Sequence, residues 1–201
     1  MQVRELAMPG AFEFTPVQHG DARGLFLEWF KEERLSEAVG HRLSLAQANL
    51  SVSKAGSLRG IHFADVPPGQ AKYVTCPAGA AIDFIVDIRV GSPTFGAVDA
   101  VRLDQVDRRA VYLSEGLGHA FLALEDNTTL MYLCSTGYSP GREHGINPLD
   151  PQVALPLGEL PDGVEFTLSD KDTAAPTLAQ AEAAGLLPTW ESCQAYVASL
   201  R

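Results

Sequence analysis

Between about Ala11 and Ser135 apolar and polar residues alternate in short runs broken by Gly, Pro and Asp, the pattern of successive β-strands. Helical periodicity is nearly absent there. Ile82, Phe84, Val86 and Ile88 alternate with Asp83, Ile85, Asp87 and Arg89, which predicts a strand with one buried face leading into a turn at Gly91-Ser92-Pro93. One helix is expected near Lys31 to Val39. Two more are expected near Leu178 to Leu187 and Thr189 to Leu200. Nine or ten strands with so few helices predict a sandwich, jelly roll or barrel. A single domain over residues 1–201 is expected, with its β core at about 11–150 and a C-terminal segment with helices at about 160–201.

Leu45 to Ser53 carries two unlike faces. Gln47, Asn49, Ser51 and Ser53 share one side, and Ala46, Ala48, Leu50 and Val52 share the other. A strand with its polar side in solvent explains this most simply. The other reading is a barrel strand whose polar side lines a ligand cavity while its apolar side packs on a second sheet or subunit.

With 201 residues, 46% hydrophobic and only 20% charged, the chain can bury a core of its own. Lys plus Arg number 15 against 25 Asp plus Glu, a net charge of −10, so a nucleic-acid backbone would be repelled except at a local basic patch. No stretch reaches the roughly 18 apolar residues that a bilayer requires, and the first residues lack a signal-peptide pattern. Cys76, Cys134 and Cys193 are odd in number and widely spaced, which disfavours a disulfide framework and a zinc site and suits the cytoplasm.

Within Arg59-Gly60-Ile61-His62-Phe63 a cation and an imidazole interrupt an apolar strand, a composition that is costly in a core without partners. Three residues apart on a regular strand, Arg59 and His62 would face opposite ways, so a shared site needs a bulge, for which Gly60 is the candidate. Lys72 lies on the side of Val74 and Cys76 and would ordinarily reach back to solvent. Tyr132 lies in an apolar strand, where a buried phenol ordinarily just satisfies its hydroxyl. In Glu115-Gly116-Leu117-Gly118-His119-Ala120-Phe121 the dinucleotide fingerprint fails, because Phe121 stands where the third glycine belongs. His62 and His119 are isolated, with no ligand partner at metal spacing, so no metal is expected.

Taken in order, Asp21-Ala22-Arg23-Gly24-Leu25-Phe26-Leu27-Glu28, Gln47-Ala48-Asn49, Arg59-Gly60-Ile61-His62-Phe63, Gly91-Ser92-Pro93-Thr94-Phe95-Gly96, Glu115 to Phe121 and Leu168-Ser169-Asp170-Lys171-Asp172 resemble the dTDP-4-dehydrorhamnose 3,5-epimerases over roughly residues 1 to 190. The resemblance implies a cupin-type jelly roll, assembled as a homodimer, that acts on a dTDP-4-keto-6-deoxyhexose without metal or organic cofactor. It implies His62 as the base next to the C4 ketone with Asp172 as its partner, Tyr132 as the acid, and Arg59 and Lys72 near the sugar oxygens and the enolate. Arg23, Phe26, Glu28, Gln47, Asn49, His119, Tyr138, Glu143 and Lys171 match positions that bind or orient the nucleotide sugar. Relatives acting at C3 alone or C5 alone share the catalytic set, so the carbons inverted are left open.

The chemistry asks for these residue types. Inverting a carbon beside a ketone needs a base on one face, an acid on the other, and a positive environment for the enolate. Imidazole, with an unperturbed pKa of ~6.5, can serve as the base, and tyrosine, at ~10, stays protonated and can donate. Two other classes remain: a jelly roll that binds a nucleotide sugar without turnover, and a metal-dependent cupin enzyme.

Overall fold

The computed structural model describes residues 1–158, 160 and 163–201. Along the chain run β1 (Gln2–Glu5), β2 (Ala11–Thr15), β3 (Gln18–Asp21), β4 (Gly24–Leu27), α1 (Glu32–Val39), β5 (Gln47–Ser53), β6 (Leu58–Ala64), β7 (Lys72–Ala78) and β8 (Ala80–Val86). Then follow β9 (Val98–Asp104), β10 (Ala110–Leu113), β11 (Gly118–Ala123), β12 (Thr128–Cys134), β13 (Glu143–Gly145), α2 (Asp170–Thr173), α3 (Leu178–Ala183) and α4 (Trp190–Ala198). One sheet has the order β1-β2-β10-β7-β12-β5, a second has β13-β6-β11-β8-β9, and β3 and β4 form a separate hairpin. Every named strand pair is antiparallel. Two such sheets facing each other make the expected jelly roll, with the helices at its periphery.

Strand parity sorts the side chains into three cores. Val74 and Cys76 of β7, Ala81 and Ile85 of β8, Val111 and Leu113 of β10 and Phe121 of β11 meet between the sheets. Phe84 and Val86 of β8 and Leu122 of β11 point the other way, where Val153, Leu155, Leu178 and Leu187 of the C-terminal segment cover them. Phe14, Tyr73 and Tyr112 on the outer face of the six-stranded sheet are covered by Leu35 of α1, Leu43 and Trp29. The alternation at residues 82–89 therefore marks a strand buried on both faces, not one. Each fully buried Phe or Ile adds about 1.5–3 kcal/mol. Asp83 is the exception: its side chain enters the inter-sheet interior and is fully buried.

The Gly91-Ser92-Pro93-Thr94 turn is a latch. Asp87 accepts hydrogen bonds from Arg89 Nε (2.8 Å) and Nη2 (2.7 Å), and from the hydroxyls of Ser92 and Thr94 at 2.6 Å each. The Arg89 guanidinium lies 4.6 Å from the ring centroid of Trp190, which ties α4 to the turn. Burial would raise the Asp87 carboxyl, but these donors outweigh it and hold the group below the usual carboxylate range.

The segment after Gly163 positions the site. Leu58 N–H donates to Thr167 O and Thr167 N–H to Gly56 O, so this stretch runs beside the start of β6. Ser169 then caps α2, its Oγ accepting from Asp172 N–H at 3.1 Å. That four-residue helix was not expected from periodicity, which needs more than one turn to register. α3 starts at a capping box between Thr177 and Gln180 and stops at Ala183, short of the expected Leu187, because Gly185 turns the chain with φ +68°.

Candidate active site

A cavity of about 470 Å³ opens between the two sheets, with Arg59 and His62 from β6 on one wall and Gln47, Asn49, Lys72 and Tyr132 from β5, β7 and β12 on the other. Tyr138, Glu143, Lys171 and Asp172 complete it. The bulge expected at Gly60 is present. His62 pairs with His119 and Arg59 with Phe121, so three steps on β6 oppose two on β11. Leu58 and Ile61 consequently share the outer core, and Arg59 and His62 share the cavity. Gly60 adopts φ +121°, and a Cβ there would stand 2.5 Å from both Ala120 Cβ and His119 O.

His62 Nε2 lies 2.7 Å from Asp172 Oδ1. Burial alone would raise the Asp172 carboxyl. The His62 hydrogen bond and charge, the Ser169 hydroxyl and the Gly60 amide reverse this and hold it below its ordinary value. A buried anion so placed orients the imidazole and stabilises its cation. Burial pushes the Tyr132 phenol up, with Cys134 and Glu143 acting in the same sense and Arg59 against them, so it stays a proton donor at neutral pH. Lys72 does not reach back to solvent; it is buried at the cavity wall, and burial pushes its amine below the ordinary value.

β5 presents its polar side inward. Gln47 Nε2 donates to Asn49 Oδ1 at 2.7 Å, Gln47 Oε1 accepts from Tyr138 N–H at 2.9 Å, and Ser53 Oγ accepts from Arg59 Nε at 3.2 Å. Its apolar side is the exposed one: Leu50 is 61% and Val52 54% accessible. The solvent-facing reading of this strand is overturned, because a polar cavity lies where an apolar core would otherwise demand the Leu and Val side.

Four positions matched to sugar binding lie elsewhere. His119 is buried, with Nε2 2.8 Å from Asp83 Oδ2, and is not among the residues lining the cavity. Arg23, Phe26 and Glu28 stand on or beside the exposed β3–β4 hairpin, Arg23 paired with Asp21 and Phe26 67% accessible, and none lines this chain's cavity. Conversely, Ser57, Gln70, Thr167, Leu168 and Ser169 line it without having been singled out for binding. Leu168 and Ser169 fell within a motif already noted; Ser57 and Gln70 gave no signal beyond polarity. Among the described residues no three His, Cys, Asp or Glu side chains gather in a way that could hold a metal ion.

The family model described as dTDP-4-dehydrorhamnose 3,5-epimerase matches residues 5–180. The chain belongs to this family. It is 58% identical over 201 residues to the dTDP-4-dehydrorhamnose 3,5-epimerase of Mycolicibacterium smegmatis, covering 100% of this chain and 98% of the relative. Its fold superposes with a TM-score of 0.95 on an epimerase of Mycobacterium tuberculosis, at 53% identity and 100% coverage of both chains. It superposes at 0.92 on a 3′-monoepimerase of Streptomyces bikiniensis in complex with dTDP-quinovose, at 50% identity and 98% coverage of both. The family thus includes enzymes named for inversion at two carbons and at one.

Proposed function

We propose that the chain is a cofactor-independent isomerase that inverts C3, C5 or both of a dTDP-4-keto-6-deoxyglucose-type sugar, in rhamnose or antibiotic deoxysugar biosynthesis. The observation that carries this reading is that His62 and Tyr132 come from opposite sheets and open into one cavity. His62, oriented by Asp172, takes the proton from the carbon beside the C4 ketone. The ketone oxygen becomes an enolate, held by Arg59 and Lys72. Tyr132 returns a proton from the other wall, so the configuration inverts. Acid and base together supply ~10² to 10⁴ in rate, and each donor aimed at the developing oxyanion adds a further ~10² to 10³.

Gln47, Asn49, Tyr138, Glu143 and Lys171 hold the nucleotide sugar from this chain. Arg23, Phe26 and Glu28 reach it from a second copy, whose hairpin enters the neighbouring cavity. The exposed Leu50 and Val52 support that homodimer, since an apolar strand face left in water is costly and a second copy would cover it. The net charge of −10 does not oppose the diphosphate, because charges beyond a Debye length of ~8 Å are largely screened. No helix among the described residues is long and apolar enough to cross a membrane. The three cysteines remain buried thiols, which suits a cytoplasmic enzyme.

Incubation with dTDP-4-keto-6-deoxyglucose in deuterium oxide, read by mass spectrometry, tests the proposal. Two enzyme-dependent deuteriums mark inversion at both C3 and C5 and one marks a monoepimerase; binding without any exchange overturns the proposal and leaves only a nucleotide-sugar-binding protein.

A further inference from the structure

A second cavity, of about 280 Å³, is bounded by residues of β2, β10, the end of α1 and α4, and it shares no lining residue with the active-site cavity. Two side chains on its wall are sealed from bulk water and carry unused polar atoms. Tyr112 is fully buried and Glu115 is 1% accessible, and among the described residues neither Tyr112 Oη nor Glu115 Oε2 has a hydrogen-bond partner. Glu115 Oε1 accepts from Ser135 Oγ at 3.3 Å, so the carboxyl is held with its other oxygen left over. Glu115 opens the Glu115–Phe121 motif, yet it has no part in the reaction described above. Two buried polar groups left unanswered on one wall are costly, and a molecule that answers both removes the cost.

The chemistry that can answer both is narrow. Burial keeps the Tyr112 phenol protonated at neutral pH, so it has a proton to give. Burial also pushes the Glu115 carboxyl up, and that group accepts as a carboxylate and donates as an acid. A hydroxyl both gives and takes a hydrogen bond and meets either form. An ammonium could not accept from Tyr112, and an anion would face Glu115 and, at the rim, Glu5. The cations offer an anion little: the Arg89 guanidinium is already held by Asp87 at 2.8 Å and 2.7 Å, and Arg201 is exposed. His41 Nδ1 donates to Arg42 O at 3.0 Å, which leaves Nε2 as a further acceptor in the neutral ring. The rings of Phe12 and Tyr112, paired across β2 and β10 with centroids 6.5 Å apart, add apolar faces suited to C–H groups.

We infer that this cavity is a second binding site, for a small neutral polyhydroxylated molecule about the size of one sugar ring, whose hydroxyls pair with Tyr112 and Glu115. The volume sets the size. It is well below the 470 Å³ of the active-site cavity and just under the ~300–1,000 Å³ of pockets for drug-sized ligands, so a single ring fits and a whole nucleotide sugar does not.

Isothermal titration calorimetry with D-glucose, L-rhamnose and myo-inositol tests the inference, with acetate and ethylamine as the charged comparisons. At least one polyol is expected to bind with a Kd of ~1 mM or tighter. Tyr112→Phe and Glu115→Gln are each expected to weaken it about tenfold, and since neither residue lines the active-site cavity this locates the binding. Val197→Phe, at a half-buried position of α4 on the cavity wall, should abolish binding by filling the space. Binding of none of the polyols, binding of only acetate or ethylamine, or polyol binding that all three variants leave unchanged overturns the inference. Should the variants not fold, crystals of the unsubstituted protein soaked in the three polyols decide. A polyol within hydrogen-bond distance of Tyr112 Oη and Glu115 Oε2 upholds the inference, and ordered water alone overturns it.

Discussion

Arg59 and His62 lie three residues apart on β6 and open into the same cavity, because the strand carries one extra residue at Gly60. The positive φ and the backbone of β11 pressed against Gly60 leave no room for a side chain. Gly60→Ala is therefore expected to cost about 2–4 kcal/mol, from overpacking and an unfavourable φ together. It should also lower epimerase activity at least ~100-fold by turning one of the two side chains out of the site. Urea denaturation and turnover on the same preparation check this; a variant with parental stability and rate would show that the strand needs no glycine there.

The tie between Gly60 and the two side chains shows what the sequence could carry. Period-two reasoning put Arg59 and His62 on opposite faces, named the glycine as the one residue able to reverse that, and could go no further, because a bulge depends on the partner strand β11. The same limit applies to Leu45–Ser53. Its two-sidedness was plain from the residues, but which side faces inward depends on whether the interior is a cavity or a core. His62 and Asp172, 110 residues apart, came together only through the resemblance, since a one-turn helix capped by Ser169 leaves no periodic trace. Arg23, Phe26 and Glu28, matched to sugar binding through the resemblance, stand on or beside the β3–β4 hairpin and do not line this chain's cavity, which chain spacing alone cannot show.

Separating base from acid gives a second prediction. Tyr132→Phe leaves His62 and Asp172 in place, so the proton should still leave and return on the His62 wall. Deuterium is then expected to enter the sugar without inversion, at a rate reduced by no more than the acid's share, about 10²-fold. His62→Asn should stop both exchange and inversion. NMR of the sugar after incubation in deuterium oxide distinguishes the two, and equal loss of exchange in both variants would mean that Tyr132 has been given the wrong role.

The proposed homodimer makes a third prediction, in two parts. Leu50→Glu places a charge on the exposed apolar face of β5 and is expected to shift light scattering toward the 21.5 kDa monomer. Arg23→Ala and His62→Ala, each inactive as a pure protein, should restore activity when refolded together: with random pairing about half the dimers are mixed and each has one intact site, so about a quarter of the parental activity returns. No restoration would place Arg23 in the service of its own chain.

Acid sensitivity provides a fourth prediction through the Asp87–Arg89 latch. Asp87 is held below the ordinary carboxylate value of about 3.9, so its contribution is complete above that value and is lost as pH falls through the lower, folded-state value. Arg89→Met removes the partner and leaves a buried anion, at a cost of about 3–5 kcal/mol at neutral pH. With its partner gone the carboxyl rises, so protons no longer bind the unfolded chain preferentially at this position, and the variant's stability should fall less steeply on acidification. The gap between parent and variant is therefore expected to be widest near pH 7 and to narrow below about pH 4. Denaturant titrations across this range measure it, and a gap constant in pH would mean that Arg89 stabilises the turn through its packing on Trp190 rather than through its charge.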